Sequence, residues 1–377
     1  MLQGYKKTIL SIFLVVYLIF APNFLFSKLK MDTQFLSREN KIDYYGVLEL
    51  WNIDTFEGGS VSRTVWLEKR ALEFEKQNPG TFILIRNMTK EQALLNLQNG
   101  NEPTLISYGI GFGNVIKSYL TNYTGLVQVR DDLLAGGKIN GTIMAVPYIL
   151  GGYSLIGNNV LLQKLNKTEE DNLLENIFEL SLQERKNSIP SLSFSGLTST
   201  NSLLSLYFNT QKVANDNNFT KDYINLAPYE TYENFVLKNN SICLLGTQRD
   251  VYRTQNRMNN QPDEEYVYKF LEGFSDLIQY ISIFNCDNVV KEKCVSFIEY
   301  LTSEKVQQTL VNIAMFSTLD MHIYNDSFYK EWESVLLKPL KTFNVFLEDE
   351  ILSDKQKISL QALKGNEEAI NKINTWF

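Results

Sequence analysis

Apolar positions change their spacing several times along this chain, and each change marks an element. The first is an almost unbroken run from Thr8 to Phe26, about nineteen residues, interrupted only by Ser11, Pro22 and Asn23 and preceded by Lys6 and Lys7. That length lies near the lower limit for a membrane span. A charged start with an apolar centre also describes an export signal. The pattern of small residues that a cleavage site needs is poor around Ala21-Pro22-Asn23 and Phe26-Ser27, and no cysteine follows to accept a lipid. A buried core helix is the bland alternative, but the terminal position and the lysines favour export or anchoring. Residues 1–28 are therefore read as a signal or, preferably, as an uncleaved membrane anchor. Residues 29–45, polar and unpatterned, are read as a tether. Lys28 and Lys30 weaken any charge argument for orientation.

From Gly46 the pattern becomes strand, helix, strand. Val47 to Trp51 reads as a strand, and a loop Glu57-Gly58-Gly59-Ser60 follows. Leu67, Ala71 and Phe74 then fall at i, i+4 and i+7, one face of a helix that Asn78-Pro79-Gly80 ends. Phe82 to Ile85 is a continuous apolar run, as expected of a parallel strand covered on both faces. Thr89 and Gln92 make a capping box for a second helix through Ala93, Leu94 and Leu97, and Gly100 stops it. Thr104 to Tyr108 is the next strand. This rhythm is that of a doubly wound α/β unit.

The character changes at Asn140-Gly141, a strong hairpin signal. Val146-Pro147-Tyr148 and Gly151-Gly152 follow and suggest a crossing point or hinge. A second mixed stretch runs to about Phe270, with helices expected around Glu175, Leu203 and Phe235 and a strand from Ile242 to Leu245. Phe274 to Phe284 reads as a strand, and Val290, Cys294, Phe297, Ile298 and Leu301 share a helical face. Asp354 to Phe377 reads as one or two amphipathic helices. No internal repeat is visible.

Composition narrows the chemistry. The 377 residues are 44% hydrophobic and 21% charged, which fits globular domains and not a disordered polymer or a polytopic membrane protein. A net charge of −7 argues against non-specific nucleic-acid binding. The single histidine, His322, removes most histidine-based catalysis and His-rich metal sites. The three cysteines lack CxxC spacing. Cys243 sits in a strand and reads as core. Cys294 reads as a buried thiol, and in an exported protein its bridging to Cys286 stays an open alternative.

Gly109-Ile110-Gly111-Phe112-Gly113 follows a strand but lacks the third glycine of a dinucleotide loop, so a pocket-side loop is the better reading. Ser193-Phe194-Ser195-Gly196 lacks the leading glycine of a nucleophile elbow. Catalysis by paired carboxylates has no positive sign. Arg249, Arg253 and Arg257 recur every fourth residue just after the strand. For Arg257 a solvated face is preferred, whereas Arg249 lies at a strand end, where α/β proteins place ligands. Trp51, Asn52, Asp54 and Glu57 end the first strand, and rings with planar polar groups suit a polyhydroxylated ligand. Trp51 packing in the core is an equal alternative.

Leu48-Glu49-Leu50-Trp51 with Asp54, Trp66-Leu67-Glu68, Phe74-Glu75, Gly141 to Tyr148, Leu245 to Arg253, and Phe297 to Leu301 with Val306-Gln307 together resemble, in order, bacterial extracellular solute-binding proteins of ABC transporters, the sugar-binding class in particular. The lipid-accepting cysteine and an aspartate usual near Thr104 are absent. The resemblance implies two α/β lobes joined by a hinge, roughly residues 46–149 plus 274–317 and residues 150–273 plus 318–377. It implies a cleft contacted by Trp51, Asp54 and Glu57 from one side, Arg249 from the other, and Tyr148, Met315 and Phe316 at the crossings, with Tyr108 at the end of the third strand as a further candidate. It also implies a small ligand such as a sugar, delivery to a membrane permease, a monomer on the outer cell surface, and no catalytic residue, cofactor or metal. An exported glycan hydrolase and a receptor without transport are the rival readings.

Overall fold

The computed structural model describes residues 44–164, 192–194, 201–209, 232–238, 243–261, 263, 265–363 and 365–377. The expected anchor, nearly all of the tether and the expected helix at Glu175 lie outside these residues. No described helix is long and apolar enough to cross a membrane.

From Gly46 the chain builds β1 (Gly46–Asn52), α1 (Arg63–Gln77), β2 (Thr81–Asn87), α2 (Lys90–Gln98) and β3 (Leu105–Tyr108). β1 lies parallel to β2 on one side and β3 on the other. α1 buries Trp66, Leu67, Ala71 and Phe74, the stripe set by their spacing. Thr89 caps α2 through the reciprocal box with Gln92. β4 (Leu120–Thr121) precedes the hairpin β5 (Lys138–Ile139) and β6 (Thr142–Ile143). Asn140 and Gly141 both take positive φ, 50° and 80°, as a primed two-residue turn requires.

β7 (Val146–Leu150) then passes into β8 (Tyr153–Asn158). β9 (Leu192–Phe194), α3 (Ser202–Asn209), β10 (Cys243–Thr247), α4 (Gln248–Asn260) and β11 (Tyr266–Phe270) follow, with a π-helical turn, Glu233–Leu237, at the expected Phe235 helix. β12 (Ile278–Phe284), α5 (Asn288–Leu301), α6 (Ser327–Leu336), α7 (Asp349–Leu363) and α8 (Glu367–Asn374) complete the order. One sheet runs β2-β1-β3-β12-β4, with β7 also on β12, and the other runs β11-β8-β10-β9.

Three details depart from expectation. Both sheets are mixed rather than wholly parallel: β12 runs antiparallel to β3 and β7, and β8 antiparallel to β10 and β11. The reason is that β12 enters the first sheet from the second, opposite in direction to a strand fed by a crossover helix. β2 is an edge strand and not one covered on both faces, since Phe82 and Leu84 are 46% and 45% exposed. Its Ile83 N–H donates to Glu75 Oε1 at 2.6 Å, which blocks part of the open edge. Finally, within 318–377 the stretch around Val345 returns to the β5–β6 hairpin and the turn before it: Val345 N–H donates to Gly136 O (2.8 Å) and Asn344 Nδ2 to Lys138 O (2.7 Å).

The chain passes between the sheets at three adjacent places. Leu150 and Phe316 exchange backbone hydrogen bonds (3.1 and 2.9 Å), and Gly151 N–H donates to Leu277 O at 2.7 Å. Ser275 Oγ donates to Gly151 O at 2.9 Å. Phe316 and Phe270 both pack on Trp332 of α6, the latter stacked at 4.7 Å.

Candidate binding cleft

The loop after β1 meets the start of α4 across a cleft of about 390 Å³ lined by Asp54, Thr55, Phe56, Glu57, Gly58, Val61, Ser62, Arg63 and Arg249. α4 is aimed there by its cap. Thr247 and Asp250 form a reciprocal capping box, Asp250 Oδ2 accepting from Thr247 N–H at 2.9 Å, so Gln248 and Arg249 sit on the first turn at the end of β10.

Both residues reach the facing loop. Gln248 Nε2 donates to Glu57 O (2.8 Å) while its Oε1 accepts from Gly152 N–H (3.2 Å). Arg249 Nη1 donates to Gly59 O (3.1 Å) and Ser60 O (3.3 Å), and its Nε is paired with Glu57 Oε2 at 3.4 Å, beyond good hydrogen-bond geometry. The loop is itself fixed. Ser60 N–H donates to Ile313 O (3.0 Å), and a Cβ on Gly59 would lie 2.4 Å from Ala314 O. Only glycine permits that approach.

Beneath the cleft lies a buried polar network. Arg63, 3% exposed, opens α1 and stacks its guanidinium over the Phe56 ring at 3.9 Å. Its Nη1 donates to Gln279 Oε1 (2.8 Å), and its Nη2 to Asp54 Oδ1 (3.1 Å) and to Phe56 O. Gln279 Nε2 donates to Ser107 Oγ (2.8 Å), and Ser107 Oγ shares a 2.7 Å hydrogen bond with Tyr148 Oη. Ser107 Oγ also donates to Asn52 Oδ1 at 2.9 Å, and Asn52 Nδ2 returns to Asp54 Oδ1 at 3.3 Å. Burial pushes Arg63 below its usual range, opposed first by the Asp54 carboxylate. Burial likewise pushes the Tyr148 phenol up, against its Ser107 hydrogen bond and the Arg63 charge. The network holds one guanidinium and one carboxylate in fixed relative geometry at the cleft wall.

Of the eight residues singled out from the sequence, Asp54, Glu57 and Arg249 come together here. The others do not line the cleft. Trp51 is 2% exposed, and its indole N–H donates to Glu49 Oε1 at 2.8 Å. It therefore does not face Arg249; β2 and β3 flank its strand, and Glu57 holds the position opposite the arginine. Tyr108 is fully buried with its hydroxyl on Ser282 Oγ (2.8 Å), and Tyr148 lies one layer under the wall. Met315 and Phe316 are buried at the third crossing, Tyr324 Oη donating to Met315 O at 2.9 Å. Sequence reasoning missed Arg63, Gln248 and Gln279. Arg63 and Gln248 each open a helix, a position visible in the pattern, whereas Gln279 sits inside an apolar strand and gives no sequence signal. Among the described residues no cluster of His, Cys, Asp and Glu could hold a metal ion.

No protein-family model and no curated protein matches the sequence. Solved structures do match the fold. MalE from Xanthomonas citri, a sugar-binding protein, aligns at a TM-score of 0.59 and 13% identity over 88% of this chain and 96% of its own. Maltose-bound MalE3 of T. maritima aligns at 0.57 and 15% identity, over 87% and 98%. A solute-binding protein of an ABC transporter from Thermotoga lettingae, bound with α-D-tagatose, aligns at 0.55 and 16% identity, over 86% and 97%. The fold is that of these two-lobed binding proteins.

Proposed function

We propose that this protein is an extracellular solute-binding protein that captures a small carbohydrate between its lobes and delivers it to an ABC-transporter permease. The observation that carries this reading is the cleft itself, with Asp54, Glu57 and Arg63 on one wall and Arg249 on the other. Carboxylate and guanidinium groups are planar and present paired acceptors and donors, the geometry that vicinal hydroxyls match. Similarity to proteins described as binding maltose and tagatose supports the same ligand class. We place the lobes at 46–149 with 274–317 and at 150–273 with 318–377, the stretch around Val345 excepted, and the N-terminal apolar segment in the membrane of a monomer. Binding without catalysis fits the site: Asp54 and Glu57 lie on one loop and each pairs with an arginine. A hydrolase instead sets two carboxyl groups on opposite sides of the bond to be cut.

A thermal-shift screen against mono-, di- and trisaccharides tests the reading. A true ligand at about 100 times its Kd stabilises by about 2.7 kcal/mol. A library in which no saccharide raises the melting temperature, but another solute class does, would replace the carbohydrate.

A further inference from the structure

The cleft holds two arginines, and only one of them keeps donors for a ligand. Arg63 is buried and spends its Nη groups on Gln279 Oε1 (2.8 Å), Asp54 Oδ1 (3.1 Å) and Phe56 O, which also neutralises the Asp54 carboxylate. Arg249 is engaged on one edge. Its Nη1 donates to Gly59 O (3.1 Å) and Ser60 O (3.3 Å), whereas Nε is buried without a hydrogen bond, and Nη2 makes none among the described residues. The Nε–Nη2 edge of a guanidinium fits both oxygens of a carboxylate. Glu57 stands in front of that edge, its Oε2 3.4 Å from Nε, and its side chain is 66% exposed. The Glu57 carbonyl oxygen is held by Gln248 Nε2 (2.8 Å), so the carboxylate can turn into solvent while the loop stays in place. Among the described lining residues the one aromatic ring is Phe56, buried beneath the Arg63 guanidinium at 3.9 Å. Recognition in this cleft therefore runs through charge and hydrogen bonds, not through ring stacking.

We propose that the Nε–Nη2 edge of Arg249 seats a carboxylate of the ligand, and that Glu57 occupies this seat until the ligand replaces it. The inference rests on the carbohydrate reading and narrows it to acidic sugars of the hexuronate kind. The exchange keeps the charge at Arg249 balanced, because one carboxylate leaves as another arrives. The ligand gains over Glu57 by reaching Nε and Nη2 together, a bidentate geometry that Glu57 does not make. Asp54 and Ser62, which line the same cleft, are left for the hydroxyl groups of the sugar. The Asp54–Arg63 pair is not displaced in this way, because Arg63 is buried and bonded to three partners.

The test is calorimetric titration of D-glucuronate and D-galacturonate, each beside its neutral hexose, into the whole native chain, Arg249→Gln and Glu57→Gln. Near neutral pH both uronates are ionised. At least one uronate should bind the parent about tenfold more tightly than its neutral hexose. That preference should disappear in Arg249→Gln and grow in Glu57→Gln, where the competing carboxylate is gone. No preference in the parent, one that Arg249→Gln retains, or one that Glu57→Gln weakens would overturn the proposal. Binding of maltose or tagatose with neither uronate bound would overturn it too, while leaving the carbohydrate reading in place. Failure of every saccharide, neutral and acidic, would remove both.

Discussion

Arg249 is the side chain on which both walls of the cleft depend, because it reaches Glu57, Gly59 and Ser60 from the helix that follows β10. Arg249→Ala is expected to weaken ligand binding by about 1–3 kcal/mol, with little change in folding stability since the side chain lies at a solvent boundary. Calorimetry beside a urea melt separates the two effects. Trp51→Ala should behave in the opposite way. The indole is core, so its loss should cost folding about 3–5 kcal/mol and alter affinity far less. A ring at a strand end carries the same signal in sequence whether it faces a ligand or its own lobe, which is why Trp51 was not separable from Asp54 before the register was known. Asp276 adds a pH dependence. Fully buried at the second crossing, it accepts from Tyr153 Oη and Asn201 N–H, both at 2.6 Å, and burial still pushes it up to about 6 from an ordinary 3.8. The folded state thus holds that proton more tightly than the unfolded chain. The stability it contributes is full below pH 3.8 and is lost as pH rises through about 6. Relative to Asp276→Asn, the parent should lose on the order of 2–3 kcal/mol across that window. Parallel stability curves for the two proteins between pH 4 and 7 would remove Asp276 from the account.

At the scale of elements, the cleft depends on how β10 hands over to α4. Thr247→Ala removes one half of a capping box and is expected to cost about 1 kcal/mol, with a loss of affinity beyond that of a distant cap because Gln248 and Arg249 sit on the turn it fixes. Thr89→Ala, which uncaps α2 by the same mechanism, serves as the comparison and should leave affinity alone. Equal affinity losses in the two variants would mean that the cap has no special role in the cleft. The Thr89 cap, the Asn140-Gly141 turn and the α1 stripe were legible in sequence, because each is decided by residues no more than four apart. Strand direction was not. Whether β12 runs with or against β3 depends on where the chain comes from, and an apolar run such as Phe82 to Ile85 reads alike in a sheet centre and at an edge.

For the whole molecule, two lobes and repeated crossings followed from the resemblance and from the glycine-rich passage at Gly151-Gly152. The return of Val345 to the β5–β6 hairpin did not, because contacts so distant in sequence leave no local pattern. The backbone bonds joining Leu150 to Phe316 and Gly151 to Leu277 put the three crossings side by side, where a few residues can absorb a rotation. Small-angle scattering should therefore give a smaller radius of gyration with ligand than without. The most direct test is an isothermal titration of maltose and tagatose, and of any saccharide found by thermal shift, into the parent protein and into Asp54→Ala. Saturable one-to-one binding of at least one saccharide to the parent, weakened tenfold or more in the variant, is the predicted result. No saccharide binding, or a saccharide held equally well by both proteins, would contradict a carbohydrate site between Asp54 and Arg249.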